Sequence, residues 1–209
     1  MDLDCDCGTT VLDTVDYNPC KVLFGKDQRW IFQKKDDANN VFVNGANGIE
    51  EESSWSALPD ASNDTKVVVT PILEEAVFNE GDKLEDGENP DGAPNAVAAG
   101  PQLVTGMIRN ITPDQFEQLE KLKCFDEELT FYRLDKNGKI GAKLSGSADH
   151  VGIPISPNTF LIRDPSRGGT RVDQYKAIIE FYLPAGWYKK FAVVSPEDGF
   201  DPLSEIKPS

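Results

Sequence analysis

The chain is short of the residues that most catalytic and membrane chemistry requires. It holds one histidine, His150, in 209 residues. Triads of the Ser-His-Asp or Cys-His kind each need a histidine, so His150 is the sole candidate, and no Gly-x-Ser-x-Gly elbow accompanies it. Paired carboxylates remain open as a hydrolytic device, because acids are abundant and pairing is spatial, but the order of residues favours no particular pair. No catalytic residue is assigned. Apolar runs are short too: none approaches the ~20 residues of a membrane-spanning helix. Cations are few, with 21 Lys and Arg against 36 Asp and Glu, a net charge of −15. The imbalance lies in the first half: residues 1–100 carry 21 acidic and 7 basic side chains, residues 101–209 carry 15 and 14. Such a body lacks the clustered Lys and Arg that hold nucleic-acid phosphates. The charge serves solubility, or a surface that lies near DNA without sticking to it.

Cysteine is scarce as well. Cys5 and Cys7 stand in Cys-Asp-Cys-Gly, Cys20 follows Pro19, and Cys124 lies far away. Four thiols match a tetrahedral zinc site in number. Cys-x-Cys is tighter than the usual Cys-x2-Cys loop, however, and no second close pair exists. The start, Met1-Asp2-Leu3-Asp4, is acidic where a signal peptide carries positive charge, so the expectation is a protein made and kept in a cytoplasm. Disulfides are disfavoured there, which leaves free thiols, buried or half-buried, as the expected state.

Metal and nucleotide motifs fail on spacing. Glu50-Glu51-Glu52 lacks an alternating ligand pattern, and Asp82, Glu85, Asp86, Glu88 and Asp91 do not match an EF-hand loop. In Asp135-Lys136-Asn137-Gly138 the glycine falls at loop position four rather than six, and position twelve is Gly146 instead of Glu. Pro165 to Arg171 lacks the Lys-Ser/Thr ending and following helix of a phosphate loop. No metal and no cofactor is expected.

The strongest positive signal runs from Thr112 to Gly141. Thr112 is an N-cap, Pro113 suits the first helical position, and Gln115 completes a capping box. Phe116, Leu119 and Leu122 recur at three-residue steps, predicting a helix over about 112–124. Leu129 to Leu134 is β-like, Asp135 to Gly138 is a hairpin turn, and Lys139-Ile140 starts the return strand. Elsewhere the pattern is β. Strands are expected at Arg29 to Gln33, at Val67 to Thr70, and at Leu103 to Ile111 with Val104, Gly106 and Ile108 on one face. Further strands follow at Val151 to Ile155, Thr159 to Arg163 and Phe191 to Val194. Val41 to Val43 reads as a short partner for the first strand, and Gly141 to Asp149 as a loop. Lys176 to Leu183 is apolar on both faces and is expected inside a sheet or against another subunit.

Glu74 to Gly100 is too rich in Gly, Pro, Asn and Asp for a central strand. An extended arm, about 74–101, that orders against a neighbouring subunit is expected, beside the plainer reading of a surface loop. The whole predicts one mainly β (α+β) domain over 1–209: a β sandwich or barrel with one flanking helix, a Cys-containing leader 1–20, and a C-terminal extension 195–209. Eleven Phe and three Trp are available to anchor its core.

In order of elements the chain resembles the tail tube subunits of long-tailed bacteriophages and related small virion proteins. The resemblance rests on Cys5-x-Cys7-Gly8 with Pro19-Cys20, on Trp30-Ile31-Phe32, and on Glu75 to Gly81 opening an arm closed by Thr105 to Ile108. It continues in the helix ending Leu122-Lys123-Cys124, the hairpin Leu129 to Ile140, and the final strands Ala177 to Leu183 and Phe191 to Val194. The insert Glu85 to Gly100 departs from a plain hairpin arm. The resemblance implies copies of the chain in stacked hexameric rings, contacts with other phage tail proteins, DNA passing through without specific binding, no membrane, and no enzyme. The implied location is the virion tail, assembled in the host bacterial cytoplasm. Two other readings stay open: a head decoration or head-to-tail connector protein, and an acidic carbohydrate-binding module that would expose Trp55 or Trp187.

Overall fold

A computed structural model describes residues 24–35, 42–43, 48–81, 83–88, 94–146, 149–167 and 175–207. The leader 1–20, with Cys5, Cys7 and Cys20, lies outside the described residues. In chain order the strands are β1 (Asp27–Lys34), β2 (Val67–Val69), β3 (Leu73–Phe78), β4 (Lys83–Glu88), β5 (Pro94–Ala99), β6 (Gln102–Arg109) and β7 (Leu129–Asp135). They continue as β8 (Ile140–Ser145), β9 (Asp149–Val151), β10 (Ile153–Pro154), β11 (Leu161–Arg167), β12 (Tyr175–Leu183) and β13 (Phe191–Val194). Among the described residues the short α-helices are α1 (Glu52–Trp55), α2 (Pro113–Glu120) and α3 (Pro202–Glu205). The chain is mainly β, with two antiparallel sheets and a flanking helix, a β sandwich as the alternation predicts.

Side-chain alternation explains how the sheets stack. In β1, Trp30 and Phe32 face one way and Ile31 the other, and all three are fully buried. In β7, Leu129 and Phe131 share the first side while Tyr132 and Leu134 share the second. These strands sit inside the first sheet, ordered β13-β8-β7-β1-β2, with β10 beside β7 and β9 beside β8. The second sheet runs β11-β12-β6-β3. Its inner face presents Val104, Ile108, Ala177, Ile179, Phe181 and Leu183 to Trp30, Phe32 and Phe131, forming the main core. Aromatic edges lock that core, with Trp30 and Phe181 centroids 5.3 Å apart and Phe131 and Phe181 4.9 Å apart. A second cluster covers the far face of the first sheet: Ile31, Tyr132 and Leu134 pack on Trp55, Ile49 and Phe42, and on Phe200 and Ile206 near the C-terminus. The extension after Ser195 is therefore docked, closed by α3, whose cap Asp201 accepts from the Leu203 N–H at 3.1 Å.

Helix α2 forms as its cap chemistry dictates. Thr112 Oγ1 accepts from the Gln115 N–H and Gln115 Oε1 accepts from the Thr112 N–H, both halves of a capping box. It ends at Glu120, earlier than the predicted 124, and the chain tightens into 3-10 turns within Lys121–Glu128, interrupted by a kink at Phe125. Leu119 and Leu122 are buried against the main core. The hairpin β7–β8 turns where expected. The Asp135 carboxylate, fully buried, accepts from the backbone N–H groups of Gly25 at 2.7 Å, Asn137 at 2.8 Å and Lys139 at 2.9 Å. It is a structural acceptor that pins the turn and the entry to β1.

Three expectations are corrected. Residues 74–78 belong to β3, an edge strand of the second sheet, and the described part of the arm proper is 83–88 and 94–99, the separate antiparallel pair β4–β5. Gly141 to Ser145 is strand rather than loop. A Cβ at Gly141 would meet the Phe191 ring at 2.9 Å, so the glycine marks a close ring approach within β8. Among the described residues Phe42 pairs with His150 rather than with the first strand.

Candidate functional site

Two surfaces stand out, and each grows from the way the sheets end. The first lies at the end of the sandwich, where β7 meets the roots of the arm. Arg133 follows Phe131 on the core-facing side of β7, but here the apolar core stops. Its Nε donates to Asp27 Oδ1 and Oδ2 at 3.1 and 3.0 Å, and its Nη2 donates to Oδ1 at 2.6 Å. Asp27 is 1% exposed and Arg133 13%. Trp30 Nε1 also donates to Asp27, at 2.7 Å, tying the pair to the core. A bidentate guanidinium–carboxylate pair with a third donor is the arrangement that a buried charge needs.

Aromatic rings gather on this arginine. Its guanidinium carbon lies 4.0 Å from the Phe78 centroid, 4.5 Å from Phe24 and 5.4 Å from Phe191. Trp187 stacks on Phe78 at 6.0 Å and donates its Nε1–H to Gln102 Oε1 at 2.7 Å. Phe78, Gln102, Arg133, Trp187 and Tyr188 wall an open cleft of about 380 Å³. Tyr188 is well exposed at its mouth. The 3-10 turn Trp187–Lys190 that presents these rings starts from Gly186 at φ 74°, a left-handed position that suits glycine. The cleft offers flat apolar faces and a few hydrogen-bonding groups.

The second surface is the outer side of the second sheet. Register places Leu103, Thr105 and Met107 of β6 beside Tyr182, Glu180 and Ile178 of β12, with Val77 of β3 and Leu161 of β11 flanking them. Val77, Leu161 and Tyr182 are exposed. One cross-strand ion pair, Arg163 to Glu180 at 2.6 Å, sits among them. The strands β3 and β11 each pair on one side only among the described residues.

The remaining candidates disperse. His150 is half-buried on β9, and burial lowers its pKa against the pull of Glu50 and Asp149. Its backbone exchanges two hydrogen bonds of 2.9 Å with Phe42, a structural role. Trp55 is fully buried, its Nε1 donating to the Ile49 carbonyl at 2.8 Å, so it cannot belong to an exposed aromatic row. Cys124 is exposed and free, not half-buried. No group of three His, Cys, Asp or Glu side chains able to hold a metal ion occurs among the described residues. No described helix is long and apolar enough to cross a membrane. Sequence reading passed over the Arg133 cluster. The available signal was one arginine inside the otherwise apolar run Leu129 to Leu134 and one aspartate just before Trp30, 106 positions from its partner.

Comparison with protein-family models, with curated proteins and with solved structures finds no match for the chain.

Proposed function

We propose that the chain is a phage virion structural protein, a tail tube subunit that assembles with copies of itself into stacked hexameric rings around a DNA-conducting channel. The observation that carries this reading is the second sheet. Its edge strands β3 and β11 have one unpaired side each among the described residues, and its outer face keeps Val77, Leu161 and Tyr182 exposed. Free edges beside an apolar face invite strand addition unless a partner covers them. A ring of identical subunits supplies that partner at every edge and leaves none over. The net charge of −15 fits a channel wall that repels phosphates, so that DNA passes without being held. Other tail proteins as partners, and the virion tail as location, belong to the same proposal, as does the absence of enzymatic activity.

Electron microscopy of purified, negatively stained protein tests it. Rings or tubes are the expected result; monomers alone across salt and protein concentration refute it. Trimers would instead favour a head decoration protein. One observation favours a second reading, an acidic carbohydrate-binding module: the cleft at Trp187 and Tyr188 presents aromatic faces to solvent. Glycan binding by isolated monomers would select that reading.

A further inference from the structure

Arg29, on β1, carries a charge that the described residues do not neutralise by contact. Its Nε is buried without a hydrogen-bond partner, and no hydrogen bond or ion pair to a described residue uses its other N–H groups. The contrast with three other arginines of the chain is sharp. Arg109 is bonded to Glu74, Arg133 to Asp27 and Arg163 to Glu180. In a chain with 36 acidic side chains, an arginine without a bonded carboxylate is unexpected. Asp201 attracts it from beyond contact. That carboxylate, however, is committed to α3, accepting from the Leu203 N–H at 3.1 Å and the Ser204 hydroxyl at 2.8 Å. Burial disfavours the Arg29 cation and pulls its pKa down. A desolvated donor left unpaired costs stability, more so when it is charged.

Beside this guanidinium lies a cavity of about 220 Å³ at the rim of β2, between α2 and the C-terminal turn. Arg29, Lys207, Gln115, Gln118 and Thr70 supply its polar lining, and among the described residues no carboxylate lines it. Thr70 Oγ1 already accepts from the Trp30 N–H at 2.9 Å, so its own proton is available elsewhere. The set comprises two cations, two amides and a hydroxyl around one small space. We propose that this cavity binds a single phosphate group, as inorganic phosphate or on a small phosphomonoester. Two positive charges match a phosphate better than a singly charged carboxylate. A tetrahedral anion also offers acceptors to donors on several sides, whereas a carboxylate offers two oxygens in one plane. The fork of Arg29 is the anchor and Lys207 the second charge. The recess is small and the body is anionic, so a lone phosphate fits where a nucleic-acid backbone does not.

The inference does not rest on ring formation and can be read on any folded species. Melting temperature and calorimetric titration are measured in chloride, phosphate and acetate at matched ionic strength, on the full chain and on Arg29→Met and Lys207→Met. Phosphate at several times its Kd is expected to raise Tm by roughly 2–4 °C, with acetate giving no rise. Arg29→Met should abolish the rise, and Lys207→Met should weaken binding several-fold. In chloride, Arg29→Met should melt at or above the parent temperature, because it removes an unpaired buried donor; loss of response is then not loss of fold. The proposal is overturned by no phosphate binding at millimolar concentrations, by equal binding in Arg29→Met, or by acetate acting as well as phosphate.

Discussion

Replacing Arg133 with methionine tests whether the end of the sandwich is held by an ion pair or by its rings alone. The substitution keeps an unbranched apolar stem against Phe78, Phe24 and Phe191, so much of the ring contact survives. The Asp27 carboxylate, 1% exposed, would keep Trp30 Nε1 as its remaining side-chain donor. Breaking a buried pair from one side costs about 3–5 kcal/mol, because the surviving charge stays buried. Arg133 sits at the rim with 13% exposure, and water can partly replace it, so the expected cost is about 3 kcal/mol. For a chain of this length that lowers Tm by roughly 6–12 °C. The double variant Asp27→Asn with Arg133→Met removes the stranded charge and keeps an acceptor for Trp30. It should cost only about 1–2 kcal/mol, less than the single change. Urea unfolding followed by circular dichroism reads both, since urea adds no ions, and m should stay constant. A single-variant cost below about 1 kcal/mol, or a double variant worse than the single, would refute the reasoning.

Two further outcomes are expected. At Gly106, a Cβ would lie 2.4 and 2.5 Å from Trp30 ring atoms, and that ring is fully buried and hydrogen-bonded to Asp27. Gly106→Ala should therefore cost about 1–3 kcal/mol in urea unfolding; a neutral result would mean that the core has slack there. His150 has its pKa lowered by burial, so the folded state binds its proton less readily than the unfolded chain. The sign follows: its contribution is complete above the unfolded value of about 6.5 and is lost as pH falls through that value toward the lower folded one. Tm measured across that range should fall less steeply for His150→Gln than for the parent, and parallel curves would remove histidine from the account.

Much of the sandwich was legible because its inner strands obey simple alternation. Val104, Gly106 and Ile108 turned inward as their spacing required, as did Ala177, Ile179, Phe181 and Leu183. The capping box at Thr112 and the turn at Asp135 are local devices, complete within a few residues, so they too could be read directly. What escaped was set by distant partners. The stretch from Glu74 to Phe78 runs straight into a segment rich in Gly, Pro, Asn and Asp, yet it pairs with β6 as an edge strand, and Glu74 is held by Arg109. Gly141 looked like punctuation because the ring that needs its bare Cα, Phe191, arrives fifty positions later. The Arg133 and Arg29 sites share this character: each is defined by which groups do or do not reach a guanidinium in space.

The way the arm joins the body has a practical consequence for engineering. Phe78 and Gln102 already belong to paired strands, and the Asn79 N–H donates to the Leu103 carbonyl at 2.9 Å, so the two roots are stapled before the hairpin leaves. Among the described residues β4 and β5 pair only with each other, and a two-stranded ribbon of that kind contributes little stability to what it stands on. Residues between those roots are thus an exchangeable cassette. A tight turn, a peptide epitope or a foreign loop spliced there would leave both sheets closed on their own cores, which makes this the natural port for decorating the protein.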